Sequence, residues 1–159
     1  MEPASGSIRE ITSGKGELCR EIHFDLPEWF GIPAAIDDYV RAVEDLPMFG
    51  EMSDGATTGF LSIKPHTAFA AEAYVLGVRR AWHRRGIGRR LFAHVEAHLR
   101  ERGFVFLTVK TLSAEHPSAA YAATRRFYQA IGFVPLETFP HLWPGTPCLM
   151  MAKSIGAVS

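Results

Sequence analysis

Apolar positions along the chain fall into two periods. Leu18, Cys19 and Ile22 recur at helical spacing between Glu17 and Pro27, and Ile36, Tyr39, Val40 and Val43 do so between Pro33 and Pro47, which predicts two short amphipathic helices. Ahead of them, residues 1–16 hold Ile8 and Ile11 among glycines and serines, the pattern of a loose arm with one edge strand. Asp54-Gly55 supplies a turn between Met48-Phe49 and the β-prone run 57–64, which predicts a hairpin. Residues 71–78 are apolar except for Glu72 and read as a central strand buried on both faces. Beyond Gly88 the stripe Leu91, Val95, Leu99 marks a helix closed by Gly103. A strand over 104–109, a helix over 119–131 ending at Gly132, and strands over 133–136 and 148–152 complete the order ααββ-βαβαββ. No internal repeat or interior linker interrupts it, so an α/β fold is expected.

Length and composition narrow the picture. A chain of 159 residues, 47% of them apolar, can bury one sizeable core, and one compact domain over 1–159 is expected. Seventeen basic residues balance seventeen acidic ones, so no global field draws the protein to nucleic acid or to an anionic membrane. An anion must therefore be bound locally. Cys19 and Cys148 are far apart and form no C-x-x-C pair, which argues against a disulfide framework or a zinc site and for a reducing cytoplasm. The N-terminus lacks an apolar signal region and no run approaches the ~20 residues needed to span a bilayer, so neither secretion nor membrane insertion is expected.

The local anion site is legible in His83-Arg84-Arg85-Gly86-Ile87-Gly88-Arg89-Arg90-Leu91, which follows a predicted strand and opens a predicted helix. A helix start leaves about four amides unpartnered and carries roughly half a positive charge. Gly86 and Gly88 let a phosphate approach the backbone, and the arginines at 84, 85, 89 and 90 add positive potential. A plain turn or helix cap explains a Gly-x-Gly pair equally well. Two rival phosphate motifs are excluded: Leu91 stands where a dinucleotide fingerprint wants its third glycine, and no Gly-Lys-Ser/Thr is present.

The segment His83-Arg84-Arg85-Gly86-Ile87-Gly88 resembles the Gln/Arg-x-x-Gly-x-Gly/Ala signature of the GNAT superfamily of acetyl-coenzyme A dependent N-acetyltransferases. Tyr121-Ala122-Ala123-Thr124-Arg125-Arg126-Phe127-Tyr128-Gln129-Ala130-Ile131-Gly132-Phe133 echoes the family's Asn-x-x-Ala-x-x-Phe/Leu-Tyr-x-x-x-Gly-Phe segment. The resemblance implies a single-domain mixed β-sheet flanked by helices. It implies acetyl-coenzyme A as co-substrate, with Leu76, Gly77 and Val78 pairing with the pantetheine arm and Arg84, Arg85, Gly86, Ile87, Gly88 and Arg89 around the diphosphate. Tyr121 stands at the family's Asn position beside the coenzyme. His83, Tyr121 and Thr124 depart from the motif, so the family's side-chain contacts there do not carry over, whereas a backbone cradle survives.

Acetyl transfer to an amine needs a base, a donor to the carbonyl oxygen and a proton for the departing thiolate. The offset of Glu72 from Val78 resembles that of the catalytic glutamate in the histone acetyltransferase branch, where burial would make it a useful base; a strand-end carboxylate paired with Arg or Lys is the competing reading. Tyr128 stands at the Phe-Tyr position whose hydroxyl protonates the thiolate, against a core tyrosine with a satisfied hydroxyl. The amide of Val78 or Leu76 is the oxyanion donor that remains. His94 and His98, one helical turn apart, read as a solvated helix face, and no metal is expected. His66 and His116 sit in loops at strand ends, where they either assist deprotonation or are plain surface histidines. Trp29, Phe30, Trp143 and the His116-Pro117 loop either line an acceptor pocket or pack in the core. The expected acceptor is a small-molecule or peptide amine, with a non-catalytic acyl-coenzyme A sensor as the competing function. Oligomeric state stays open, a homodimer included.

Overall fold

A computed structural model of the chain describes residues 6–29 and 33–157. The elements run β1 (Ser7–Ile11), α1 (Lys15–Phe24), α2 (Pro33–Val43), β2 (Met48–Ser53), β3 (Ala56–Pro65), β4 (Ala70–Val78), a 3-10 turn (Arg80–Trp82), α3 (Ile87–Glu101), β5 (Phe106–Leu112), α4 (Ala119–Ala130), β6 (Val134–Trp143) and β7 (Thr146–Ser154). Seven strands pair in the order β1-β2-β3-β4-β5-β7-β6. The sheet is mixed: β4 and β5 are parallel at Ala70↔Phe106, Ala71↔Leu107 and Glu72↔Thr108, while β1–β2, β2–β3, β5–β7 and β6–β7 are antiparallel. The α/β fold with a mixed sheet and helices is the one expected. Among the described residues no helix is long and apolar enough to cross a membrane.

Contacts group the chain into two compact units, Met1–Lys64 with Tyr74–His98 and Pro65–Ala73 with Leu99–Ser159, so β4 contributes to both. In the first unit Cys19, Ile22, Leu26, Val43, Met48, Phe60 and Val75 form a buried cluster, each large side chain contributing about 1.5–3 kcal/mol. His23 is buried within it, packing against Tyr39 and Phe60 with ring centres 5.8 and 5.7 Å away. Burial pushes its pKa down to about 3, so it packs as a neutral ring. Gly77 belongs here for the same reason of space. A Cβ on it would lie 2.9 Å from Ile22 Cγ2, so the space a side chain would take is occupied by α1.

β4 also departs from expectation. Ala71, Ala73, Val75 and Gly77 are buried, but on the alternate positions Tyr74, Leu76 and Val78 are only half-buried, so the second half of the strand keeps one face partly open. The arm contains a true strand, β1, paired with β2 at Ile8↔Glu51 and Ile11↔Met48.

In the second unit Leu107, Val109, Leu112, Cys148 and Met151 are buried along β5 and β7. Ser118 caps α4, its hydroxyl accepting the Tyr121 amide at 3.3 Å, and Gly132 ends it at φ +106. β6 runs to Trp143, well past the expected end at 136, although Pro135 and Pro140 lie in it. Proline lacks only the donor that an edge strand leaves unpaired, and β6 is the edge next to β7.

Candidate active site

Helix α3 begins where the sequence places it. The bond from the Arg90 amide to the Gly86 carbonyl, 3.0 Å, opens its ladder and leaves the amides of Ile87, Gly88 and Arg89 aimed out of the helix end. Arg84 and Gly86 both take left-handed backbone, φ 63 and 79, which turns the chain sharply before the helix. Arg84, Arg85, Gly86 and Arg89 are exposed, while Ile87 is buried at 2% exposure and anchors the first turn. Outward-aimed amides and exposed cations at a glycine-lined helix start fit a diphosphate, whose oxygens need donors and positive potential at close range. A residue the pattern missed lies beside this start: a Cβ on Gly59 of β3 would meet Ile87 Cγ2 and Val78 Cγ2 at 3.1 Å, so a side chain there would crowd the first turn of the helix.

The four arginines are not equivalent. Arg90 Nε and Nη2 donate to the two carboxylate oxygens of Glu51 at 2.6 and 3.0 Å, and Nη1 donates to the Arg85 carbonyl at 2.9 Å. Its guanidinium is thus engaged within the protein, unlike a freely exposed member of the basic cluster. Arg85 lies over the Trp82 ring, 4.8 Å from its centre. Glu51 is buried at 2% exposure, so removing its partner strands a charge. Arg90→Ala is therefore expected to cost about 2–3 kcal/mol of stability, at the low end because Arg90 itself is partly solvated, and to weaken anion binding at the turn. Urea unfolding checks the first effect and coenzyme A titration the second.

Between β4 and the cradle, His83 Nε2 lies 2.7 Å from the Val78 carbonyl, clasping the two ends of the connecting turn. Its ring meets Trp29 edge-on at 6.1 Å between centres. The residue that departs from the family motif thus acts on its own strand. Leu76 and Val78 stand on the partly open face of β4. Arg80 ties the turn to the end of α1, its amide donating to Asp25 at 2.7 Å and its guanidinium to Glu28 at 2.6 and 2.8 Å. Phe30 lies outside the described residues.

In the second unit, Glu72 is 3% exposed. Its Oε1 is 2.8 Å from His66 Nε2 and 3.2 Å from Lys110 Nζ. The carboxylate is thus paired with Lys110, the geometry of the competing reading, and it also meets His66, one of the two histidines expected in loops at strand ends. Tyr128 is 5% exposed, its ring edge against Phe133 at 5.7 Å and beside Phe127 at 5.8 Å. Tyr121 is half-buried, and desolvation raises its phenol pKa. His116 Nδ1 is buried without a hydrogen-bond partner among the described residues, while Trp143 is half-buried at the end of β6. His94 and His98 of α3 both pack on Phe49, with ring centres 5.3 and 4.7 Å away.

A family model described as an acetyltransferase (GNAT) domain matches residues 44–135, more than half of the chain. Comparison with curated proteins finds no match. Among solved structures, a GNAT-family protein from Desulfovibrio desulfuricans superposes with a TM-score of 0.81 at 20% identity, over 94% of this chain and 98% of that one. The ribosomal-protein-S18-alanine N-acetyltransferase from Escherichia coli does so with a TM-score of 0.78 at 18% identity, over 97% and 96%. A GNAT family acetyltransferase from Elizabethkingia anophelis, solved with acetyl-coenzyme A bound, gives 0.72 at 16%, over 95% and 99%. At such identities the likeness establishes the fold alone.

Proposed function

The chain belongs to the GNAT acetyltransferase family, and from that premise we propose that it transfers the acetyl group of acetyl-coenzyme A to a primary amine of a small molecule or peptide. The observation that carries this reading is the open start of α3. There the amides of Ile87, Gly88 and Arg89 face outward beside a left-handed Gly86, with Arg84, Arg85 and Arg89 exposed around them. These groups would hold the diphosphate. Leu76, Gly77 and Val78 would pair through their backbone with the pantetheine arm, and Tyr121 would stand beside the coenzyme. The bound co-substrate supplies the activated acyl group.

Each remaining demand falls on a group of this chain. The Val78 or Leu76 amide donates to the carbonyl oxygen as negative charge develops on it. Tyr128 gives its hydroxyl proton to the departing thiolate. Glu72 stands on the side of the reaction that accepts the amine's proton. Transfer is direct, with no acyl-enzyme: burial raises the Cys19 thiol to about 12 and Cys148 to about 11, so neither offers a thiolate nucleophile at neutral pH.

The test is release of free thiol from acetyl-coenzyme A by the purified protein across a panel of small amines and peptide N-termini. Amine-dependent release is expected. Tight coenzyme A binding with no release for any amine would instead fit a non-catalytic sensor.

A further inference from the structure

We propose that His66 is the general base of this reaction, with Nδ1 as the proton-accepting atom and Glu72 as the carboxylate that orients the ring. The proposal rests on the transferase reading and divides its proton-accepting side between two residues. His66 opens the tight turn between β3 and β4, where its amide and that of Thr67 donate to the Ala70 carbonyl at 2.9 and 3.2 Å. That turn fixes the backbone from which the imidazole reaches Glu72, six residues along the chain, at 2.8 Å.

The chemistry follows from the donor inventory. An ionised carboxylate oxygen only accepts hydrogen bonds, so the nitrogen facing Glu72 Oε1 is the one that carries hydrogen. In the neutral ring the lone pair is then on Nδ1. Lys110 Nζ, 3.2 Å from the same oxygen, supplies a positive charge that balances the carboxylate. The arrangement repeats the logic of a carboxylate that holds one histidine nitrogen so that the other can act as base.

Exposure separates the two roles. The Glu72 side chain is 4% exposed and already accepts two donors on one oxygen, whereas that of His66 is 40% exposed. A group that takes a proton in every turnover must also return it to solvent, and the imidazole is the member placed to do so. Nδ1 takes a proton from the amine nitrogen as the new C–N bond forms and the C–S bond breaks. The imidazolium, still donating through Nε2 to Glu72, releases that proton to water. Tyr128 protonates the thiolate and regains its own proton from water, so one amine proton is lost and one thiol proton is gained.

The test compares the full chain with H66Q, H66A and E72Q, using an amine that the parent acetylates. Glutamine can still donate to Glu72, so H66Q keeps the hydrogen bond while removing the base. We expect H66Q and H66A to lower kcat about 100-fold with KM for acetyl-coenzyme A unchanged. Added imidazole should restore several-fold of the lost rate in H66A, and E72Q should lower kcat by less than H66Q. An active parent whose H66Q variant keeps its kcat overturns the role of His66 and returns the base to Glu72. A loss that imidazole does not reverse assigns His66 a structural part and overturns it as well. A parent that releases no thiol with any amine overturns the transferase reading itself.

Discussion

Replacing Gly86 with valine is expected to weaken coenzyme A binding by more than tenfold. Two costs combine at this position. Its φ of 79 is left-handed backbone, which a residue with a side chain occupies at a penalty of about 1–2 kcal/mol and a β-branched one at more. A Cβ there would also lie 3.1 Å from Arg90 Nη1, the group that donates to the Arg85 carbonyl. Relief of either strain moves the turn that aims the amides of Ile87, Gly88 and Arg89. Tenfold corresponds to about 1.4 kcal/mol, less than the strain alone at its upper bound. Gly103→Ala is the control, because Gly103 is equally left-handed at φ 86 but lies at the far end of α3 with nothing within 4 Å of an added Cβ. It should lower the thermal midpoint and leave affinity alone. Calorimetry showing unchanged affinity in Gly86→Val would remove the cradle.

Tyr128→Phe should lower kcat by about 100-fold while coenzyme A affinity stays at the parent value. The ring packs edge-on against Phe133, and phenylalanine preserves that contact, so the fold is expected to survive. Loss of a satisfied buried hydroxyl would by itself cost about 1 kcal/mol of stability and nothing in turnover. The two roles therefore separate cleanly in the measurement: a fall in kcat at constant affinity marks a proton donor to the thiolate, and an unchanged kcat with a lower thermal midpoint marks a core tyrosine.

Much of the fold was legible from periodicity because helices and strands impose their periods locally. The stripe Leu91, Val95, Leu99 yields α3, and Gly103 ends it at φ 86. The Gly-x-Gly turn lies at the helix start where the pattern placed it, since glycine tolerance and helix geometry are properties of neighbouring residues. Boundaries were less secure: β5 lies at Phe106–Leu112 rather than 104–109, and β6 continues through two prolines because edge pairing, unknown from sequence, removes the penalty.

What the sequence determined by itself is the succession of elements, the anion-ready turn at residues 83–91 and the two motif segments that carry the family resemblance, all of them written in residues close together along the chain. Tertiary structure alone decided how the charges are spent. Arg90 meets Glu51 across 39 positions and Lys110 meets Glu72 across 38, so one arginine of the cluster is paired within the protein and a lone strand carboxylate becomes the partner of His66. Gly77 likewise turned out to make room for Ile22 of α1. The physical reason is common to all three: periodicity reports which face of an element a residue occupies, but a buried charge or an absent side chain takes its meaning from the group opposite, and only the packing of distant segments brings that group into place.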